Sequence, residues 1–238
     1  MVKMKYKRVL IKLSGEALAG DKKTGYDFEL ISKICRVIKK CVDNGVQIGI
    51  VVGGGNIWRG VKDGAGKIER TRADYMGMLA TAMNALALCD VLTTEGVSAV
   101  VQTSIDMIKI AEPYVRTKAV EHLNAGKVVI FACGTGCPFF STDTGAALKA
   151  CEISADALLL AKNIDGVYDA DPAKVKSTKK FDTITYEEVL KRGLGVMDTA
   201  ATALAKDNGL PVVVFALKDP ENIYKVLSGK KIGTYVGI

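Results

Sequence analysis

The stretch Gln47-Ile-Gly-Ile-Val-Val-Gly-Gly-Gly-Asn-Ile-Trp-Arg-Gly60 constrains the fold more than any other part of the chain. Its first half is apolar without alternation, the pattern of a strand covered on both faces in a parallel sheet. Gly53, Gly54 and Gly55 then follow in a row, so the strand runs straight into a turn without Cβ atoms. Such a turn can take positive φ and bring backbone N–H groups against a ligand. Asn56 and Arg59 stand immediately behind it, and a phosphate suits N–H groups and a guanidinium together. Consecutive glycines alone need only relieve crowding in a tight turn, but Arg59 and a second turn at Ser14-Gly15 favour an anion site.

Strands and helices alternate around that turn. Lys7 to Leu13 reads as a strand, with Lys12-Leu-Ser-Gly-Glu16 at its carboxyl end, where open α/β sheets bind ligands. Phe28, Ile31, Ile34, Cys35, Ile38 and Val42 recur at helical spacing, and Asn44-Gly45 stops that helix. Beyond a glycine-rich connection from Gly60 to Gly66, a long helix is expected from about Thr71 to Cys89. Its core face would be Met76, Leu79, Ala80, Met83 and Leu86, and Asp74 falls in its first turn, where the helix dipole alone favours a carboxylate. Ala99 to Gln102 and Val128 to Ala132 read as strands, separated by a helix from Thr117 to Asn124. The loop Gly134-Thr-Gly-Cys-Pro-Phe-Phe-Ser-Thr-Asp-Thr-Gly145 leads into a small-residue helix reaching Ile153, with Thr142 or Asp143 as cap and an N-terminus that attracts phosphate. Asp156 to Ala161 is another buried strand, and it opens into the turn-rich stretch Lys162 to Pro172. Thr185-x-x-Glu188 is a capping-box pattern for a helix ending at Gly193. A helix from about Met197 to Asn208, a strand from Pro211 to Phe215, a short helix and a strand from Gly233 to Val236 complete the order. No linker or repeat divides the chain, so a single domain over residues 1–238 is expected: an α/β fold with a mostly parallel central sheet sandwiched between helices.

Composition serves mainly to exclude. At 49% hydrophobic over 238 residues the chain can fill a core, which rules out disorder. The net charge of +7 is spread over short pairs such as Lys22-Lys23 and Lys179-Lys180, so no nucleic-acid partner is expected, although a positive field speeds encounter with small anions. With no apolar run near the roughly 18 residues of a membrane span and no cleavage-type leader, no membrane partner and a cytoplasmic location are expected. The cysteines at 35, 41, 89, 133, 137 and 151 lack metal-ligand spacing, and Cys35, Cys133 and Cys151 lie among apolar residues, so neither disulfides nor a protein metal site is expected. Two common nucleotide signatures, Gly-x4-Gly-Lys-Ser/Thr and a Gly-x-Gly-x-x-Gly opening a helix after the first strand, are absent. A lone histidine, His122 in a helix, supports no nucleophilic triad. Glycine turns, lysines and aspartates at strand ends remain.

In their order, Lys12-Leu-Ser-Gly-Glu16, Gly53-Gly-Gly-Asn-Ile-Trp-Arg59, Asp74-Tyr-Met-Gly-Met-Leu-Ala80, Gly134-Thr-Gly-Cys-Pro-Phe-Phe-Ser-Thr-Asp143, Asp165-Gly-Val-Tyr-Asp-Ala-Asp-Pro172 and Val196-Met-Asp198 resemble the amino acid kinase family. Within it the resemblance is to the bacterial UMP kinases, along essentially the whole length; Arg59, Asp74 and Pro138-Phe-Phe140 are the part that points to UMP. It implies transfer of the γ-phosphoryl group of ATP to UMP, giving ADP and UDP, a step of pyrimidine nucleotide biosynthesis that requires Mg2+. Lys12, Leu13, Ser14, Gly15, Gly55, Lys162, Tyr168 and Asp171 would then serve ATP, with Lys12, Gly15 and Gly55 on the transferring phosphate. Gly54, Arg59, Asp74 and the loop Thr135, Gly136, Cys137, Pro138, Phe139, Phe140, Ser141 and Thr142 would hold UMP. Asp143 and Asp198 would join Lys12 as catalytic residues, orienting lysines or metal.

That assignment makes physical sense. Phosphoryl transfer needs two anions in line and compensation of spreading charge, which cations, metal and backbone N–H groups supply. The UMP phosphate is already a nucleophile, so no general base is required. Cys137 departs from the asparagine common in the family, so a side-chain contact is lost there while backbone contacts survive. The family's bacterial enzymes are often homohexamers activated by GTP and inhibited by UTP, and the resemblance implies a homohexamer here, but the arginines and histidine that some members use for GTP are not obvious in this chain. Cys89, Thr93 and Val100 occupy the region where some members use basic residues for GTP, which leaves Arg116 and Lys127. Two other functions stay open: phosphorylation of a carboxylate or carbamate, which needs only a small acceptor pocket, and nucleotide storage or regulation without catalysis, against which Lys12, Asp143, Asp171 and Asp198 argue.

Overall fold

The computed structural model of the chain describes residues 3–59, 67–172, 175 and 177–237; the expected connection from Gly60 to Gly66 lies outside them. Its continuous apolar runs become the middle of one sheet. β1 (Arg8–Leu13), β2 (Gln47–Val52), β3 (Ala99–Thr103), β5 (Val128–Ala132), β6 (Ala157–Lys162) and β10 (Val212–Ala216) run parallel, in the order β3-β5-β2-β1-β6-β10. β4 (Glu112–Pro113) extends one edge, and β11 (Thr234–Gly237), antiparallel to β10, and then β9 (Thr183–Thr185) extend the other. β7 (Val167–Tyr168) and β8 (Lys180–Phe181) form a separate antiparallel pair. The short β4, β7, β8 and β9 carry no apolar run and were not foreseen.

Side-chain alternation splits the core in two. Val9, Ile11 and Leu13 of β1 face α2 (Phe28–Asp43), α3 (Arg70–Thr94) and α8 (Glu221–Leu227). Leu10 faces the opposite layer, with α4 (Arg116–Asn124), α5 (Thr142–Glu152), α6 (Tyr186–Arg192) and α7 (Thr199–Asp207). The three-layer α/β/α arrangement with a mostly parallel sheet is therefore as expected. Register then sets the site. Leu13 pairs with Val52 on one side and with Ala161 on the other, so the turns after β1, β2 and β6 emerge level along one sheet edge.

Local signals fix most helix ends. Asp27 Oδ1 accepts from Leu30 N at 3.1 Å to start α2, and Gly45, at φ 84°, follows its end. Thr185 Oγ1 caps α6 through Glu188 N at 3.2 Å, and Gly193 ends it at φ 61°. Ser14 opens the short α1 (Gly15–Ala19). All six cysteines are free, and burial pushes the thiols of Cys35 and Cys41 up to about 12, far from thiolate chemistry at neutral pH.

Three expectations fail where packing decides. Phe28 is 56% exposed and stacks on Tyr26 instead of entering the core. α3 packs into the core through Met78, Ala82, Ala85, Leu88 and Leu92, while Met76, Leu79, Met83 and Leu86 point outward; of the expected core face only Ala80 is buried. Beside the glycine turn, where Gly77 and Ala80 pack against Gly54, a large side chain would hold the helix off, and this contact sets which face turns inward. α3 also begins earlier than expected, capped by Glu69, and Asp74 lies past its first turn, so the helix dipole does not account for it. By length and composition alone α3 could cross a bilayer, with a mean hydropathy of 1.4 over its most apolar stretch, of which 44% is buried against the rest of the chain. Finally Ser141, not Thr142 or Asp143, caps α5, accepting from Asp143 N at 3.0 Å and Thr144 N at 3.1 Å.

Candidate active site

The turns after β1 and β2 are pressed together. A Cβ on Gly15 would lie 2.6 Å from Gly55 N and from Asn56 Oδ1, and one on Gly54 would lie 2.9 Å from Gly77 O and Ala80 Cβ of α3. None of Gly53, Gly54 or Gly55 takes positive φ; Gly54, and less tightly Gly53, are required for close approach and not for a left-handed turn, while a Cβ on Gly55 would meet only Glu16 Cγ at 3.8 Å. A buried amide pair holds the turn from beneath. Asn84 Nδ2 donates to Gly53 O and to Asn56 Oδ1, both at 2.7 Å, and Asn56 Nδ2 donates to Asn84 Oδ1 at 3.0 Å and Gly25 O at 2.9 Å. Both asparagines are fully or almost fully buried, so their hydrogen bonds are strong and expensive to leave unmade.

At the same sheet edge stands an ionic centre. Lys12 Nζ of β1 lies 2.9 Å from Asp143 Oδ1, and Lys162 Nζ of β6 lies 3.7 Å from Asp143 Oδ2. Asp143 Oδ1 is buried and accepts no directed hydrogen bond, so the attraction to Lys12 is one of charge. Burial pushes the Lys162 pKa below that of an ordinary lysine; Asp143 pulls it back up and Lys12 adds to the lowering. Lys162 also donates to Val196 O. Asp198 forms no close ion pair with either lysine, though its charge adds to the upward pull on Lys162. It caps α7 through Ala201 N at 2.9 Å and accepts from Ser141 and from Thr144 Oγ1 at 3.0 Å, tying α7 to the start of α5. Burial alone would raise its pKa, but the hydrogen bonds from Ser141, Ala201, Thr144 and Ala200 outweigh it and hold the carboxyl below the usual aspartate range.

Two clefts adjoin this centre. One, of about 370 Å³, is lined by Gly54, Gly55, Trp58, Arg70, Asp74, Thr81, Thr135, Cys137, Phe139, Phe140, Ser141 and Thr142 among others. Asp74 closes it. Its carboxylate accepts from Phe139 N at 2.8 Å and from Arg70 Nε at 2.8 and 2.9 Å, and the Arg70 guanidinium lies 5.4 Å from the Phe139 ring centroid. Thr81 ties the helix to the loop's root, donating to Met78 O and accepting from Cys133 N at 2.8 Å. Within the loop, Thr135 Oγ1 donates to Cys137 O and accepts from Cys137 N, both at 3.2 Å, and the Cys137 side chain is exposed. Gly136 and Pro138 belong to the same loop. Arg59 is not in this cleft: its Nη2 is 2.8 Å from Glu16 Oε1.

The second cleft, of about 410 Å³, is lined by Lys162, Gly166, Val167, Tyr168, Asp171, Pro172, Gly193, Leu194, Val196 and others. Tyr168 Oη donates to Asp165 Oδ1 at 2.7 Å, and Lys180 Nζ donates to Asp165 Oδ2 at 3.0 Å, which fixes the β7 edge. Lys162 thus belongs to the second cleft, while Thr142 of the first is the chain neighbour of Asp143, so the ionic centre joins the two.

The amino acid kinase family model matches residues 7–216. The chain belongs to the amino acid kinase family. Among solved structures it is similar to the UMP kinase of Bacillus anthracis, with 41% identity, a TM-score of 0.94, and coverage of 98% of this chain and 96% of the other. The UMP kinase of Ureaplasma parvum shares 35% identity at a TM-score of 0.92, covering 99% of this chain and 100% of the other. The uridylate kinase of Archaeoglobus fulgidus shares 28% identity at a TM-score of 0.77, covering 96% of this chain and 99% of the other.

For a member of this family, the donor set suits one kind of metal binding only. No cluster of three or more His, Cys, Asp or Glu exists among the described residues, and Asp198 is engaged by hydrogen bonds. Asp143, with its buried Oδ1, is the carboxylate at the centre. That fits a magnesium ion held chiefly by nucleotide phosphates with a single protein carboxylate. Arg70, Trp58, Thr81, Asn84 and Thr144 escaped the sequence reading. Two had a signal: Arg70 stands four residues before Asp74 on a helix, and Asn84 interrupts an apolar helical run.

Proposed function

We propose that this chain transfers the γ-phosphoryl group of ATP to the phosphate of UMP, giving ADP and UDP. One observation carries the proposal: two clefts, each of nucleotide size, adjoin one centre of two lysines and one aspartate, in a chain so similar to UMP kinases. An enzyme for a carboxylate or carbamate would not need an acceptor cleft of about 370 Å³.

UMP occupies the cleft of Asp74, with its ribose toward that carboxylate and its base against the loop Thr135 to Thr142. ATP occupies the cleft of Tyr168 and Asp171. Gly15 and Gly55 present backbone at the closest approach of the two turns, and Lys12 and Lys162 compensate the charge that spreads over the moving group. Asp143 keeps both ammonium groups aimed and their repulsion balanced, while Asp198 fixes the two helices that carry the site. Magnesium bound to the donor phosphates, with Asp143 as its protein ligand, would neutralise further negative charge.

The whole chain acts as one domain in the cytoplasm, in pyrimidine nucleotide biosynthesis; activation by GTP and inhibition by UTP rest on the family resemblance alone. The outward Met76, Leu79, Met83 and Leu86 of α3, with Ile108 and Ile110 nearby, support assembly into a homo-oligomer, a hexamer by resemblance. ADP release measured with UMP, CMP, aspartate, glutamate and carbamate as acceptors tests the activity. Turnover confined to UMP is expected; turnover with any of the small acceptors alone would overturn it.

A further inference from the structure

Arg59 and Glu16 form an ion pair beside the acceptor cleft, and the phosphate chemistry alone does not call for it. Glu16 follows Gly15 in the first turn of α1, so its backbone is set by the tight Gly15–Gly55 contact. Its Oε1 lies 2.8 Å from Arg59 Nη2, and Asn163 Nδ2 of the loop after β6 stands 3.5 Å from its Oε2. Arg59 Nε donates to Gly55 O at 3.0 Å. Both charged side chains border a separate cavity of about 680 Å³, on which Asn163, Lys33 and Lys218 also lie. A carboxylate next to a phosphate turn repels the anions the turn would hold, and only pairing with a cation removes that penalty. The pair is 41% and 44% exposed, so water reaches it and it exchanges readily. A phosphate monoester carries more charge than one carboxylate, and the guanidinium fork can grip two of its oxygens at once.

We propose that Glu16 is a positioning residue that parks Arg59 outside the acceptor cleft in the unliganded chain, and that the phosphate of a nucleoside monophosphate draws Arg59 out of this pair. The proposal rests on the assignment of UMP as acceptor. Acceptor binding then competes with an internal ion pair, and its apparent affinity is lowered by the strength of that pair. For an exposed pair this factor is roughly 1.4 to 5.

Glu16→Gln keeps shape and removes the charge at an exposed position, so the fold persists. UMP binding measured by calorimetry, and KM for UMP and ATP from ADP release, are compared in four proteins: the unsubstituted chain, Glu16→Gln, Arg59→Ala and the double variant. Glu16→Gln is expected to lower Kd and KM for UMP by about 1.4- to fivefold and to leave KM for ATP unchanged. In the Arg59→Ala background the same substitution should have no effect, because Glu16 acts through Arg59. Unchanged or weaker UMP binding in Glu16→Gln overturns the proposal. So does an equal gain without Arg59, which would be simple removal of a repelling charge. If the unsubstituted chain neither binds nor phosphorylates UMP, the acceptor assignment falls and this inference with it; if it does both and Glu16→Gln does not tighten binding, this inference falls alone.

Discussion

The glycine cradle with its ionic centre and the rim of the acceptor cleft are built from neighbouring segments at one sheet edge, yet they are packed in opposite ways. In the cradle, Gly15 and Gly54 leave no room for a methyl group, and Asn56 and Asn84 exchange buried hydrogen bonds beneath the turn. At the rim, Phe139 and Phe140 are 68% and 54% exposed, and the loop is tied to α3 through the Asp74 carboxylate and the Thr81 hydroxyl. The difference matches the two tasks. Charge compensation in the transition state works when the groups are in place beforehand, since reorganising them during the reaction forfeits the gain. Selection of an acceptor can be completed by closure on the ligand, and a loosely held loop permits that.

If the cradle is preorganised, disturbing it must be severe. Lys12→Met should keep the fold and lower turnover by roughly a hundredfold or more, because one fixed charge on the transferring group is lost; near-normal turnover would move Lys12 to a structural role. Asn84→Ala leaves Asn56 Oδ1 and Gly53 O without their donor, although Asn56 Nδ2 keeps Gly25 O, and should cost about 1–3 kcal/mol of stability in a denaturant titration. A loss no larger than that of a rim variant would erase the contrast between the two regions.

Rim substitutions should act on selectivity instead. Asp74→Asn keeps an acceptor for Phe139 N but weakens the charged contact with Arg70 and with a ribose hydroxyl; discrimination between UMP and deoxy-UMP should fall severalfold with little change in thermal stability. If stability changes and discrimination does not, Asp74 serves only to join the loop to α3. Cys137→Ala should matter least. The thiol is exposed, and the residue's backbone N–H and C=O both meet Thr135, so the ratio of UMP to CMP turnover should stay within about twofold. Collapse of that ratio would mean that the thiol itself reads the base.

Short-range physics is legible in a sequence, and here it reached far. Uninterrupted apolar runs such as Ile48 to Val52 and Leu158 to Ala161 admit few alternatives to buried parallel strands, and Gly45 and Gly193 stop helices for reasons contained within a turn or two. From these the turns at the strand ends follow, so Lys12 and Gly54 stand out on residue grounds alone, whereas the roles of Asp143 and Lys162 came only from the family resemblance and the level strand ends only from the register. A rigid backbone also explains why Ser141 was overlooked as the cap of α5: Ser141, Thr142 and Asp143 all carry the right oxygen, and only the path of the loop decides which of them stays outside the helix.

What the sequence by itself determined, then, is the long helices and the apolar strands, their order and the polar turns at their ends, because propensity, period and capping act over a few residues; the short β4, β7, β8 and β9 carry no such signal. Which face of α3 touches the sheet, which partner Arg59 takes and how Asn84 reaches Gly53 O were decided only by tertiary structure. Each of these is a choice among chemically equivalent options: Met76 and Met78 are equally apolar, and Arg59 would pair with any anion in reach. Long-range packing breaks such ties through shape, since the small residues of α3 fit against the glycine turn and large ones do not.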